Sequence, residues 1–369
     1  MSGVTLDAIN RVLDDFPDPE TGRGVRGLGQ VSDLALEGDR LKLTLALTTA
    51  AAPLWQETRA DLVERLQRSV PGLKQVDVKL AVHVRPPEKL GEIGLTAKHV
   101  IAVGSGKGGV GKSTLAASIA YGLKRAGCEV GLMDADIYGP SIPHLIGVNQ
   151  RPEIIEVTEG NGPEARQVKR IQPIVSGGVK AISMGFLMAP NEPVVWRGPM
   201  LHGAITQLLR DTLWGDLDYL IIDMPPGTGD IALTLSQLLP LTGAVVVCTP
   251  QDVALLDATK AIGMFRKVNI PVLGMIENMS YFLCPDNGRR YDIFGHGGAQ
   301  QRAAELEVPF LGEVPINIQI RINGDEGKVA ASYDNIDAAP YFEAICHRLI
   351  KNLAQTHRAK PVLPSLNVL

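Results

Sequence analysis

The stretch GSGKGGVGKST, residues 104–114, holds the residue types that bind a polyphosphate. Gly106, Gly111, Lys112 and Ser113 fill the pattern G-x-x-x-x-G-K-[ST]. Backbone N–H groups of such a loop, opening onto a helix N-terminus, form a nest for the α- and β-phosphates of a nucleotide. Gly106, Gly108, Gly109 and Gly111, with Val110 among them, let the chain curl without side chains blocking that nest. Lys112 would reach the β- and γ-phosphates of ATP. The Ser113 hydroxyl, followed by Thr114, would ligate Mg²⁺. The loop has one lysine more than the pattern needs, Lys107.

Two carboxylate groups close later apolar runs, where open α/β sheets keep their sites. LMDADIYGPS offers Asp134 and Asp136, and LIIDMPPGTGD offers Asp223. Mg²⁺ on a nucleotide keeps several waters and uses one or two carboxylates, which suits Asp134 and Asp223 as water-mediated contacts. Asp136 is the candidate to orient the attacking water. Gly227 and Gly229 supply hinge freedom for a segment that senses the γ-phosphate.

Elements of two kinds must position these groups. Leu6, Ile9, Val12 and Leu13 recur at helical spacing, RLKLTLALTT alternates as a strand, LWQETRADLVERLQRSV is a second amphipathic helix, and QVDVKLAV is a second strand. That is a small α+β domain over residues 1–85. RPPEKLGEIGLTAK reads as a linker, placed at 86–97. From 98 to 352, apolar strands alternate with helices, the signature of a parallel sheet covered on both faces. Residues 150–170 read as a polar surface excursion, and 353–369 as a tail without periodicity.

The bulk numbers leave room for a sizeable core and do not suggest a binder of polyanions. The chain has 369 residues, 45% hydrophobic and 21% charged, with a net charge of -4. Such a balance gives no electrostatic reason to expect nucleic acid or an anionic membrane as partner. No apolar run approaches a membrane span, and the N-terminus is unlike a secretory signal, so a cytoplasmic location is expected. Cys128, Cys248 and Cys346 read as small core hydrophobes.

GKGGVGKST is similar to the deviant Walker A form, whose signature lysine, here Lys107, reaches the phosphates of the opposite subunit in a homodimer. DADIYGPSIPHLIG, VVWRGPM, WGDLDYLIIDMPPGTGD and IENMSYF…FGHGGA resemble the Mrp/ApbC group, ATPases that carry iron–sulfur clusters. DPETG at Asp18 and LTLALTTAAAPL resemble the small iron–sulfur assembly domain fused in front of many bacterial members. The resemblance implies a P-loop ATPase sheet behind an α+β domain, cluster transfer to apo iron–sulfur proteins, and no membrane or nucleic-acid partner. It also implies that Asn278 and the segment around Pro315 contact the adenine.

The sequence departs from that group at its soft ligands. The carriers hold a [4Fe–4S] cluster across the dimer through C-x-x-C pairs; here Cys284 is present but Asn287 fills the second position, and Ala52 stands where the N-terminal domain usually has cysteine. Three readings of Cys284 stand: a labile cluster completed by Asp286, a small thiol or a client; an ATPase scaffold for a protein client without a cluster; or a packed vestige. His296 beside glycines reads as a loop residue before an iron ligand. A spatial regulator of the MinD/ParA kind shares the Walker variant, but would need a membrane helix or basic surface. A reductase component like the nitrogenase iron protein would need a cysteine close after the strand that ends at Asp223, and none is there.

Overall fold

The computed structural model describes residues 4–359 except Tyr138, 160–164, 187–197 and Thr228. Most of VVWRGPM and the last residues of the expected tail lie outside the described residues. The chain divides into two compact units, Met1–Arg85 with His347–Leu369, and Pro86–Cys346.

The first unit contains α1 (Leu6–Asp15), β1 (Val31–Glu37), β2 (Arg40–Leu47), α2 (Trp55–Ser69) and β3 (Gln75–Val82). The Thr5 side chain caps α1 by accepting from the Ala8 N–H. Sheet order is β1-β2-β3, with β1 antiparallel and β3 parallel to β2 across the α2 crossover. Leu41, Leu43, Leu45 and Leu47 alternate into a core shared with Ile9, Leu13, Leu62 and Leu66. Strand β1 escapes the sequence pattern for a local reason. None of its residues is fully buried, and a bulge between Ser32 and Ala35, with Asp33 at φ 51°, breaks the alternation.

The second unit opens with β4 (Lys89–Leu90), which pairs antiparallel with the start of β5 (Leu95–Ser105), so the expected linker carries a short hairpin. Then follow α3 (Lys112–Ala126), β6 (Val130–Asp134) and α4 (Ile142–Leu145). Next are β7 (Ile154–Glu159) and β8 (Arg166–Ile171), a two-stranded antiparallel pair within the segment read as a polar surface excursion. The chain continues through β9 (Ile174–Ser176), β10 (Val179–Ser183), α5 (Gly198–Asp211), β11 (Leu217–Asp223) and α6 (Gly229–Leu238). It ends with β12 (Gly243–Cys248), α7 (Asp252–Lys267), β13 (Val272–Leu283), β14 (Arg290–Tyr291), α8 (Gly298–Glu305), β15 (Phe310–Ile316), α9 (Ile318–Asp325) and α10 (Ala339–Ala359).

The central strands run parallel in the order β13-β12-β5-β11-β6-β10, with β15 parallel to β13; β14 and β9 close the edges antiparallel. Strands β11 and β12 are buried along their whole length, as expected where helices cover both faces. No helix among the described residues is long and apolar enough to cross a membrane.

The tail is corrected by α10, which runs without a break past residue 352. Phe342, Ile345, Cys346, Leu349, Ile350 and Leu353 form one buried stripe, and after Pro340 in the first turn no proline falls within the helix. In the first unit, Lys351 and His347 of α10 contact the Glu57 carboxylate at 2.5 and 2.7 Å, and Lys351 chiefly holds that carboxyl below its usual range.

Helix α3 packs closely at Gly122, where a Cβ would lie 2.1 Å from the Tyr333 hydroxyl oxygen and 2.7 Å from the Cys346 sulfur. That hydroxyl donates to the Ser118 carbonyl at 2.7 Å and is not free to move aside. Helix propensity would favour Gly122→Ala by about 1 kcal/mol, but overpacking a filled core costs about 1–3 kcal/mol. We expect a net loss of about 1 kcal/mol, read as a lower midpoint in denaturant. A midpoint at or above that of the parent chain would contradict this packing.

Candidate functional site

Strand β5 ends at Ser105, and Lys112 is already the first residue of α3, so the glycine loop spans only 106–111. Gly109 at φ 79° and Gly111 at φ 82° adopt the left-handed conformation such a short curl requires. The Asn278 side-chain amide donates to the Val110 carbonyl at 2.9 Å, which ties β13 to the loop. A cavity of about 300 Å³ lies over the loop, lined by residues 107–109 and 111–114 together with Asp136 and Pro226. The structure thus brings together the loop lysines, Ser113, Thr114 and Asp136, which the sequence singled out separately.

Beneath the cavity, three parallel strands end in one polar row. Asp134 at the end of β6 stands in register with Asp223 of β11 on one side and Ser183 of β10 on the other. All three are fully buried. Asp134 is well supplied with donors: Oδ1 accepts the Asp136 N–H at 3.0 Å, and Oδ2 accepts the Ile142 N–H at 3.2 Å and the Ser183 hydroxyl at 3.0 Å. Asp223 is not. Its Oδ1 accepts from the Lys112 ammonium at 2.5 Å, while Oδ2 is buried with no hydrogen-bond partner among the described residues.

Burial and the neighbouring Asp223 charge push the Asp134 carboxyl up to about 8. Burial also raises Asp223, opposed by the Lys112 charge. The Lys112 ammonium, itself buried, also lies 3.1 Å from the Ser113 hydroxyl oxygen and 3.9 Å from Asp136. This cation therefore pairs with two carboxylates, Asp223 and Asp136, and its charge also acts on Asp134. An orphaned carboxylate oxygen beside a serine hydroxyl is a hard donor set, which fits Mg²⁺ and its preference for oxygen ligands.

Lys107 is half-buried, its carbonyl accepts from the Ser105 hydroxyl at 2.9 Å, and its ammonium forms no ion pair among the described residues. The Gly227 N–H donates to the Ser105 carbonyl at 3.2 Å, so the PPGTG segment closes over the end of β5; Thr228 lies outside the described residues.

Cys284 is the half-exposed cysteine of the four; Cys128, Cys248 and Cys346 are buried. Burial pushes the Cys248 and Cys346 thiols up to about 12, as befits packing residues. Cys284 heads a tight turn: its carbonyl accepts the Gly288 N–H at 2.8 Å and its N–H donates to the Arg289 carbonyl at 2.9 Å. The Asn287 side-chain oxygen accepts the Arg289 N–H at 2.9 Å and so closes the turn. Asp286 is exposed in the same turn. Cys284 lines a cavity of about 720 Å³ with Pro315, Ile316 and Asn317, whereas Asn278 sits at the glycine loop. His296 contacts Arg290, and its ring lies within 4.8 Å of carboxylate oxygens of Glu277 and Glu313. Ala52 is half-buried in a 3-10 turn, Thr49–Leu54, of the first unit.

Sequence reasoning missed Ser183, whose role comes from sheet order and has no local motif. It also missed Glu277, which is fully buried and accepts from the Ser280 hydroxyl and the Ala299 N–H, anchoring the glycine segment around His296. Glu277 lies in the middle of β13, and nothing local in the sequence marked its partners.

Residues 96–350 match the family described as NUBPL iron-transfer P-loop NTPase, and residues 6–80 match the iron–sulfur cluster assembly protein family. The chain is 44% identical over 363 residues to an iron–sulfur cluster carrier protein of Deinococcus radiodurans, covering 97% of this chain and 99% of the relative. It is 42% identical over 318 residues to the protein of that name in Escherichia coli K12, covering 85% of this chain and 83% of the relative. Among solved structures it resembles a nucleotide-binding protein of Archaeoglobus fulgidus in complex with ADP: 38% identity, TM-score 0.54, 63% of this chain and 88% of that chain. With a buried lysine and three carboxylates beneath its glycine loop, and whole-length relatives of one kind, the chain belongs to the NUBPL-type family of iron-transfer P-loop NTPases, with an iron–sulfur assembly domain in front.

Proposed function

We propose that the chain hydrolyses ATP as a homodimer and carries iron–sulfur clusters to apoproteins. The observation that carries the ATPase half is the Lys112–Asp223 pair beneath the glycine loop. In ATP-bound protein Lys112 exchanges Asp223 for the β- and γ-phosphates. The loop N–H groups hold the α- and β-phosphates. Asp136, one side of the same cavity, orients the water that attacks the γ-phosphorus and accepts its proton. Mg²⁺, when bound, neutralises phosphate charge; the Ser113 hydroxyl and Asp223 would hold it, with Asp134 acting through water. Lys107, whose ammonium forms no ion pair among the described residues, is available to a second copy's phosphates as a charge supplied in trans.

The cargo half rests on the family and on Cys284. One thiolate per subunit gives two per dimer, half of the usual Cys₄ set. We read the native protein as holding a labile, substoichiometric cluster, completed by Asp286, a small thiol or the receiving apoprotein. The turn geometry supports this, since Asn287 spends its side-chain oxygen on the turn rather than offering a ligand. Four cysteines without a disulfide suit a reducing compartment, and we place the protein in the cytoplasm. The spatial-regulator reading is not favoured, because relatives matched along nearly the whole chain carry the iron–sulfur name.

Lys112→Ala is expected to weaken ATP binding about a hundredfold, the loss of charge-assisted contacts to two phosphates. Asp136→Asn is expected to keep ATP affinity within about threefold while slowing turnover about a hundredfold. Equilibrium binding and phosphate release, measured on both variants, check the assignment; an Asp136→Asn enzyme at the parent rate removes that residue from the chemistry.

Lys107→Ala is expected to bind ATP normally and to hydrolyse it at least about a hundredfold more slowly. Mixed with Asp136→Asn subunits, it should regain activity, because one site of the mixed dimer has both an intact Asp136 and a partner's lysine. Absence of recovery after demonstrated subunit exchange would place the lysine in its own subunit's site.

Asn287→Cys raises the protein thiolates from two to four per dimer. The lost turn contact costs about 1 kcal/mol, small beside two added iron–thiolate bonds. Anaerobic reconstitution should show more iron and sulfide per dimer and slower loss to a chelator than in the parent protein. If neither protein takes up iron, the carrier reading falls and an ATPase acting on a protein client remains.

A further inference from the structure

We infer that Ser183 is a positioning residue for ATP hydrolysis, acting through Asp134 on Asp136. The inference rests on the assignment of Asp136 to the attacking water and adds the part that holds it there. Ser183 ends β10, fully buried, in register with Asp134. Its hydroxyl is used in both directions, donating to Asp134 Oδ2 at 3.0 Å and accepting the Gly185 N–H at 2.9 Å. Asp134 passes the constraint on, because its other oxygen accepts the Asp136 N–H at 3.0 Å. The Asp136 carboxylate in turn accepts the Gly139 N–H at 3.2 Å. The order Ser183, Asp134, Asp136 thus runs from the sheet to the wall of the phosphate cavity, while Ser183 itself does not line that cavity.

The chemistry explains why a hydroxyl is needed. Asp134 is a fully buried carboxylate beside a second one, Asp223, and a buried carboxylate keeps its orientation only while its oxygens are supplied with donors. Oδ2 has two such donors, Ser183 and the Ile142 N–H. Without the hydroxyl, Oδ2 keeps only the Ile142 N–H, Asp134 is free to rotate, and the Asp136 backbone loses its anchor. The glycine loop and Lys112, which bind ATP, are anchored elsewhere, by Asn278 and Asp223. The effect should therefore fall on turnover and spare binding.

The test compares Ser183→Ala, Ser183→Thr and the double variant Ser183→Ala/Asp136→Asn in the full-length chain. Ser183→Ala should lower kcat about tenfold to a hundredfold, the scale of a misplaced reacting group, with the ATP Kd within about twofold. Ser183→Thr, which keeps the hydroxyl, should restore most of that loss. The double variant should turn over no more slowly than Asp136→Asn alone, since both changes remove the same function. An unchanged kcat, a Kd that worsens in step with kcat, a threonine variant no better than alanine, or losses that multiply in the double variant would each overturn the inference. Should Ser183→Ala not fold, Ser183→Cys, with its weaker donor, should show an intermediate loss at normal Kd; parent-like turnover there overturns it equally. Asp136→Asn measured alone separates a failure of the clamp from a failure of the Asp136 assignment.

Discussion

Two carboxylates buried side by side, Asp134 and Asp223, and the Lys112 ammonium paired with the second constrain everything around the site. Burying an ionised carboxylate is costly unless donors or a cation compensate it. Among the described residues, Asp134 is compensated by three protein donors, and Asp223 by Lys112 on one oxygen while the other has no partner. The remaining deficit is what a divalent cation would relieve, and ATP arrives with one. Lys112 stands at the start of α3, where the glycine loop delivers it, so the same short curl sets the phosphate nest and the position of the balancing charge. Holding this deficit in the empty protein costs stability, and binding the nucleotide with its cation recovers it.

The thiol end of the unit is reached along a single strand. Asn278 of β13 touches the glycine loop, and Cys284 follows the last residue of the same strand six positions later, about 20 Å at the rise of an extended chain. Strand β13 is paired on both sides, with β12 and β15, before it emerges into the turn that Asn287 closes. Nucleotide loop and Cys284 are thus two ends of one paired element. The glycine end is crowded with compensating groups, whereas the other end, in the proposed carrier role, would offer one soft ligand per chain, which suits release more than storage.

Much of this was legible in the sequence, because the informative patterns were local. The glycine loop, the acids that close apolar strands, and the alternation of β2 need only a window of about ten residues to be seen. What stayed hidden was non-local or locally irregular. Strand β1 has a bulge and an exposed face, β7 and β8 pair within a polar segment, and α10 continues through residues too polar to advertise a helix. Ser183 and the Lys112–Asp223 contact depend on which strand lies beside which, since β11 lies between β5 and β6 although it follows both in the chain. Chain order does not announce that crossover.

The central claim, that this ATPase delivers a cluster through Cys284, is tested most directly by transfer to an acceptor. The anaerobically reconstituted protein is mixed with an apoenzyme whose activity requires a [4Fe–4S] cluster, in the presence of a chelator that traps free iron. The account predicts recovery of acceptor activity faster than from equal free iron and sulfide, and its loss in Cys284→Ala. Equal recovery with Cys284→Ala, or recovery no better than iron and sulfide alone, would contradict it.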